Sequence, residues 1–212
     1  MRIRWHGHSC FEIQDETTLV TDPHDGKSLG IGRPNLKAAI ALVSHDHFDH
    51  NCTRIVKGLE TEAIRVPGKK KVSGISIHGI KTFHDEDGGE KRGENIVYKF
   101  TMGGMKFCHL GDLGEIPPEE FFTELGDVDI LFIPVGNVFT IGAEEAKTIA
   151  EKVGARVIIP MHYRVRGLSL SIKPVDDFIS LFPEKRVCHV GNEMELLQED
   201  LPEEPEVWVF NI

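Results

Sequence analysis

The chain has 212 residues, 40% hydrophobic and 27% charged, which suits one domain over residues 1–212 and excludes a fibrous or disordered chain. Its 24 Lys and Arg against 34 Asp and Glu give a formal charge of -10, which weighs against a protein that coats nucleic acid or lies on an anionic membrane. Met1 runs straight into RIRWHGHSCFEI, with no apolar signal core and no stretch long enough to span a bilayer, so a cytoplasmic protein is expected.

In chain order, RIRWHG, CFEI, TLVT and AIALVS read as short strands separated by polar or Gly/Pro turns such as PHDGKSLGIG. A second set follows in EAIRV, KVSGISIHGIKTF, NIVYKFTMGGMKFCHLG, DILFIPV and ARVIIPM, with MGGM as a hairpin turn. GKKK, residues 68 to 71, reads as a solvated turn, and HDEDGGEKRGEN, residues 84 to 95, as a polar loop at the rim of a site. Helices are expected over PPEEFFTELG, GAEEAKTIAEKVG and KPVDDFISLF, the first two closed by Gly126 and Gly154. The acidic QEDLPEEPE connects to a last strand, VWVF. Strands alternate with helices mainly in the second half, so the fold class is α/β, a four-layer αββα sandwich with one sheet from each half.

Cys10, Cys52, Cys108 and Cys188 are spread without a C-x-x-C pair, and reduced thiols are expected rather than a disulfide framework or zinc ribbon. The histidines carry more information. HDHFDH, residues 45 to 50, puts three histidines and two aspartates into six positions directly after an apolar strand. Burying those groups without partners would be costly, and a cation removes the cost. His45 and His47 lie two apart, so on an extended segment their imidazoles share a side, while Asp49 and His50 sit past the bend and face a second point. Two adjacent cations fit this pattern better than one.

On HDHFDH the chain resembles the metallo-β-lactamase-fold hydrolase superfamily, and the family's other motifs match in order along nearly the whole chain. The resemblance implies that Asp22, in VTDP, orients the histidine loop. It makes His84, in KTFHD, the third ligand of a first metal with His45 and His47. Asp112, in HLGD, becomes a carboxylate bridging two metals, and His162, in PMHY, joins Asp49 and His50 on the second. The residues agree with this separately: His84 and His162 each follow an apolar strand, and Gly111 permits the tight backbone that turns Asp112 inward.

Exported lactamases commonly have Cys where Asp112 stands, diiron flavoproteins of this fold have Glu where His47 stands, and the RNA-processing members add domains or basic arms that this chain lacks. GHSCFEI, KTFHD, CHLGDLG and IPMHY are instead similar to the short metal-dependent hydrolase branch related to L-ascorbate-6-phosphate lactonase. The resemblance implies a binuclear hydrolase whose nucleophile is a metal-bridging hydroxide, with Asp49 and Asp112 as the catalytic carboxylates. Its substrate would be a lactone or ester of a small metabolite, phosphorylated or not. A phosphodiesterase of the same fold and a non-catalytic metal-binding or regulatory protein are the alternatives. Two divalent ions are expected, zinc first, with manganese, nickel or iron compatible with the same N/O donors. Partners reduce to a small-molecule substrate and a second copy of the chain as a homo-oligomer.

Around this set, His8 is expected to border the cavity or bond within its own turn, and His109 to stand behind the ligands. Tyr163 or His109 is a candidate to stabilise an oxyanion. Asn137, where related sequences tend to have glycine, is suited to a left-handed turn and bears on substrate specificity.

Overall fold

The computed structural model describes residues 1–58 and 60–212. Five strands open the chain: β1 (Arg2–Trp5), β2 (Phe11–Gln14), β3 (Thr18–Thr21), β4 (Ile40–Leu42) and β5 (Glu62–Ile64). They continue as β6 (Gly68–Val72), β7 (Ile75–Phe83), β8 (Glu94–Met102), β9 (Met105–His109), β10 (Ile130–Pro134), β11 (Val157–Met161), β12 (Val187–His189), β13 (Glu193–Glu195) and β14 (Glu206–Val209). Among the described residues three α-helices intervene, α1 (Glu119–Leu125), α2 (Ala143–Val153) and α3 (Asp176–Ile179).

Two sheets result, ordered β13-β1-β2-β3-β4-β5 and β12-β14-β11-β10-β9-β8-β7-β6. In the first, alternate side chains separate cleanly. Ile3, Trp5, Phe11, Ile13, Leu19, Ile40 and Leu42 face the second sheet, whereas Val20 and Ala41 face outward beneath Leu36, Cys52 and Ile55. In the second, β10 (ILFIP) and β11 (VIIPM) are buried at every position and run parallel to their neighbours, as expected of strands covered on both faces. Phe11 meets Phe132 across the sheets with ring centroids 4.4 Å apart.

The two-sheet α/β architecture is thus what the chain forms, with few helices. α2 packs on β10 and α3, while the outer face of the first sheet is covered by loop and a 3-10 turn at Thr53–Ile55. GKKK is not a turn. It is strand β6, at the edge of the second sheet and paired with β7 through Lys69↔His78 and Lys71↔Ser76. Its lysines stay exposed, and charge on an edge strand discourages pairing with other chains. The third helix is cut to four residues, and β12 and β13, at three residues each, are too short to leave a periodic signal.

The cysteines form no disulfide, and among the described residues no helix is long and apolar enough to cross a membrane.

Tyr98 of β8 bridges the sheets at the point that matters for function. Its buried hydroxyl lies 3.0 Å from the carbonyls of both Val43 and Ile64, and Val43 leads directly into HDHFDH. Tyr98→Phe should leave the Val43 carbonyl without its donor and cost about 1–3 kcal/mol. A urea melt checks this: the midpoint should fall at an unchanged slope, and an unshifted midpoint would show that the strut carries no load.

Candidate metal centre

The ligand candidates leave the C-terminal ends of strands, where open α/β sheets expose loops to ligands. Asp22 follows β3, His45 to His50 follow β4, His84 follows β7, Asp112 follows β9 and His162 follows β11. Along the motif, His45, Asp49 and His50 turn in and are buried, Asp46 and Phe48 turn out, and His47 is half-buried. His45 and His47 do share a side, their ring centroids 4.5 Å apart.

All seven expected ligands come together. His45, His47 and His84 form one group of potential donor atoms within 4.8 Å of one another, and Asp49, His50 and His162 form a second with His8. Asp112 joins His45 and His50 in a third group that links the first two. Its Oδ2 is the focus, 3.1 Å from His162 Nε2, 3.2 Å from His50 Nε2, 3.4 Å from His84 Nε2 and 3.9 Å from His45 Nε2.

Asp22 organises one side of this cluster from beneath. Its Oδ1 accepts the Ser44 N–H at 2.7 Å, and its Oδ2 accepts the Ser44 hydroxyl at 2.8 Å and the His50 Nδ1–H at 2.9 Å. With its proton donated to Asp22, Ser44 Oγ accepts from His45 Nδ1 at 2.9 Å. One buried carboxylate thereby sets two ring orientations, directly for His50 and through a hydroxyl for His45, turning Nε2 of each toward Asp112. Carboxylate support of this kind is the usual partner of a metal-ligating histidine.

Among the described residues, the buried side-chain atoms left without hydrogen-bond partners are His8 Nδ1, Ser9 Oγ, His45 Nε2, His50 Nε2, His84 Nδ1, Asp112 Oδ1 and His162 Nδ1. These orphans belong to the cluster or adjoin it, whereas two other buried histidines are fully satisfied by backbone. His24 bonds His6 O and the Gly26 N–H, and His109 bonds Ser9 O at 3.0 Å and the Gly111 N–H at 3.2 Å. Burial is therefore not what orphans a histidine here. Of the orphaned atoms, His45 Nε2, His50 Nε2 and Asp112 Oδ1 lie at the focus itself, and with the Nε2 atoms of His84 and His162 beside Asp112 Oδ2 they are the imidazole and carboxylate donors that a divalent cation satisfies, so the residues fit a metal.

The electrostatics agree. Burial, then His162 for His8 and His50 for His45, pushes each of the two pKa values down to about 3, so both rings are neutral donors at neutral pH. Burial opposes ionisation of Asp112, yet His162 and His50 hold its carboxyl well below the ordinary range. Burial likewise disfavours charge on His50, but Asp112 and Asp22 push its pKa well above the usual value.

Strain marks the same place. Of five non-glycine residues with positive φ among the described residues, three are His8 (56°), Asp22 (36°) and His162 (53°), a conformation costing about 1–3 kcal/mol each and typical of functional sites. Close approach does the rest. A Cβ at Gly111 would lie 2.3 Å from Asn95 Oδ1, and one at Gly136 would lie 2.1 Å from the His162 carbonyl.

Three polar residues do work that the motifs did not announce. Ser44 relays Asp22 to His45. Asn95 accepts the Asp112 N–H at 3.0 Å and donates to Leu110 O and Thr82 Oγ1 at 2.9 Å. Asp85 gathers the N–H groups of Asp87, Gly89, Lys91 and Arg92 at 2.7 to 3.0 Å, folding the polar loop into a compact turn beside His84. A polar residue adjoining a motif was the available signal for Ser44 and Asp85; Asn95 had none.

Two expectations need correction. Tyr163 cannot serve an oxyanion, because it is buried against Trp5 and donates its hydroxyl to Phe210 O at 2.5 Å. His109 cannot either, since both nitrogens are committed to backbone; it stands behind the ligands, with Nδ1 4.0 Å from Asp22 Oδ2. Asn137 does adopt the left-handed conformation, at φ 67°, but it is exposed and lines a surface depression with Gly142, Glu145 and Lys173.

Asp22→Asn should lower metal affinity about 10 to 100-fold with the fold retained, measured by metal titration beside a thermal melt. Unchanged metal affinity with activity lost would assign Asp22 a role toward substrate instead.

The model of the beta-lactamase superfamily domain matches residues 2–162. Among solved structures, a Thermotoga maritima protein described as a zinc-dependent hydrolase of the metallo-β-lactamase superfamily is similar over 99% of this chain and 97% of its own, at 41% identity and TM-score 0.82. A metal-dependent hydrolase of Methanospirillum hungatei is 30% identical over 185 residues, 77% of this chain and 83% of the relative. One of Geobacillus thermodenitrificans is 26% identical over 92% of this chain and its own full length. The chain belongs to the beta-lactamase superfamily, as a metal-dependent hydrolase.

Proposed function

We propose that the chain holds two divalent cations and hydrolyses a lactone or ester of a small anionic metabolite. The observation that carries the two-metal reading is the pair of donor groups joined through Asp112. His45, His47 and His84 would hold one ion, Asp49, His50 and His162 the other, with Asp112 between. The all-N/O set suits zinc first and also admits manganese, nickel or iron. When bound, a divalent pair lowers the pKa of coordinated water and polarises the oxygen under attack.

The chain's own residues supply the remainder. Burial opposes charge on Asp49, but the hydrogen bond from His8 and the nearby His50 hold its carboxyl far below the ordinary range. An ionised Asp49 can bind a cation and accept a hydrogen bond from attacking water. His47, the least buried ligand candidate, lines with His45, Arg65 and Arg92 a cavity of about 760 Å³, a size that suits a small molecule. Arg65 is spent on Asn51 O and Thr53 Oγ1. The Arg92 guanidinium lies 4.7 Å from the centre of the Phe139 ring and makes no ion pair among the described residues, which leaves it to meet an anionic group of the substrate, while Asp46 and Glu94 line the same cavity. The lactone or ester assignment rests on the resemblance of GHSCFEI, KTFHD, CHLGDLG and IPMHY.

Elemental analysis should find two metals per chain, and saturation at one would remove the two-metal reading. His84→Ala and His162→Ala should each cost one ion. Asp112→Asn keeps the shape but removes the charge between the ions, so metal-dependent turnover should collapse with the fold intact. On substrate panels, lactones and aryl esters should turn over faster than bis-aryl phosphates. Preference for the phosphodiester under more than one metal would reverse the bond assignment, and no metal-dependent turnover on either panel would favour a binding or regulatory role.

A further inference from the structure

His8 lies in the β1–β2 turn, far in sequence from every expected ligand, yet its side chain is completely buried within the second donor group. Its ring centroid is 4.1 Å from that of His162 and 4.9 Å from that of His50. Its Nε2 stands 3.0 Å from Asp49 Oδ2, and Nδ1 has no partner. The backbone locks this placement. His8 O accepts the Trp5 indole N–H at 3.0 Å and the His162 N–H at 3.2 Å, so two left-handed residues on different sheets are tied to each other.

An ordinary buried core histidine in this chain looks different, since His24 and His109 spend both nitrogens on backbone. His8 spends one on a carboxylate at the centre of the site, from a strained backbone. We propose that His8 is a positioning residue for Asp49: its Nε2–H holds Asp49 Oδ2 and fixes the orientation of the carboxylate beside His50, whose Nε2 is 3.6 Å from the same oxygen. The inference rests on the reading above that Asp49 helps to hold a metal, and extends it to a residue outside the expected ligand set.

The test is cobalt titration of metal-stripped full-length protein, followed by the visible spectrum and with a thermal melt of each variant. His8→Asn tolerates the left-handed backbone but is too short to reach Asp49, whereas His8→Gln keeps an amide donor on a longer side chain. His8→Asn should still bind two cobalt ions, with one dissociation constant raised about 10 to 100-fold and an altered spectrum, and His8→Gln should recover most of both. Unchanged constants and spectrum in a folded His8→Asn would overturn the proposal. So would loss of one cobalt in both variants, which would make His8 a direct ligand. Wild-type protein that binds no cobalt would remove the two-metal reading and this inference together. A wild type with one site would remove the two-metal reading alone; a constant raised at that site in His8→Asn would then support the role of His8, and an unchanged one would overturn it. If His8→Asn fails to fold, His8→Gln decides alone: near-native constants support a hydrogen-bonding role, and a lost ion refutes it.

Discussion

One constraint governs this molecule: a fully buried carboxylate, Asp112, placed among imidazole nitrogens rather than among backbone donors. Oδ2 has four Nε2 atoms within 3.9 Å, and Oδ1 has no hydrogen-bond partner. A fold stabilised only by packing would not collect such groups, since each unsatisfied buried polar atom costs about 1–3 kcal/mol. Their concentration at one point, in a chain whose other buried histidines are satisfied, is what a bound cation explains and a structural role does not.

Holding those groups in place takes both sheets. The first contributes Asp22 and the HDHFDH segment, the second His84, Asp112 and His162. Tyr98 and the Ile96 N–H, bonded to Ser44 O at 2.9 Å, join the two where the motif begins. Asn95 ties β7, β8 and the turn after β9 to the backbone of Asp112. The ligand loops are therefore held by hydrogen bonds to strand ends, which is how loops carry a precise site on a rigid scaffold.

The two faces of the cluster differ in a way that bears on chemistry. Toward His8, His50 and His162 it is sealed, with side chains at most 1% exposed. Toward His47 it opens on the cavity that Arg65 and Arg92 also line. His8, His50 and His162 thus lie deeper than His47, where low dielectric strengthens every interaction they make.

The sequence by itself determined the chemistry: HDHFDH after an apolar strand requires a cation, and His84, Asp112 and His162 follow strands or glycine turns in the order the resemblance supplies. It also determined most strands, because alternating or wholly apolar runs have few other ways to be buried. What it left open depended on direction and distance. Whether His8 or Tyr163 faces the centre follows from the φ of the β1–β2 turn in one case and from packing on Trp5 in the other, and neither is written in spacing. GKKK became a strand because β7 was available to pair with it, and Asn95 gained its role because three strand ends meet there. Only the tertiary structure decided these, since each depends on which distant backbone groups lie within about 3 Å, the reach of a hydrogen bond.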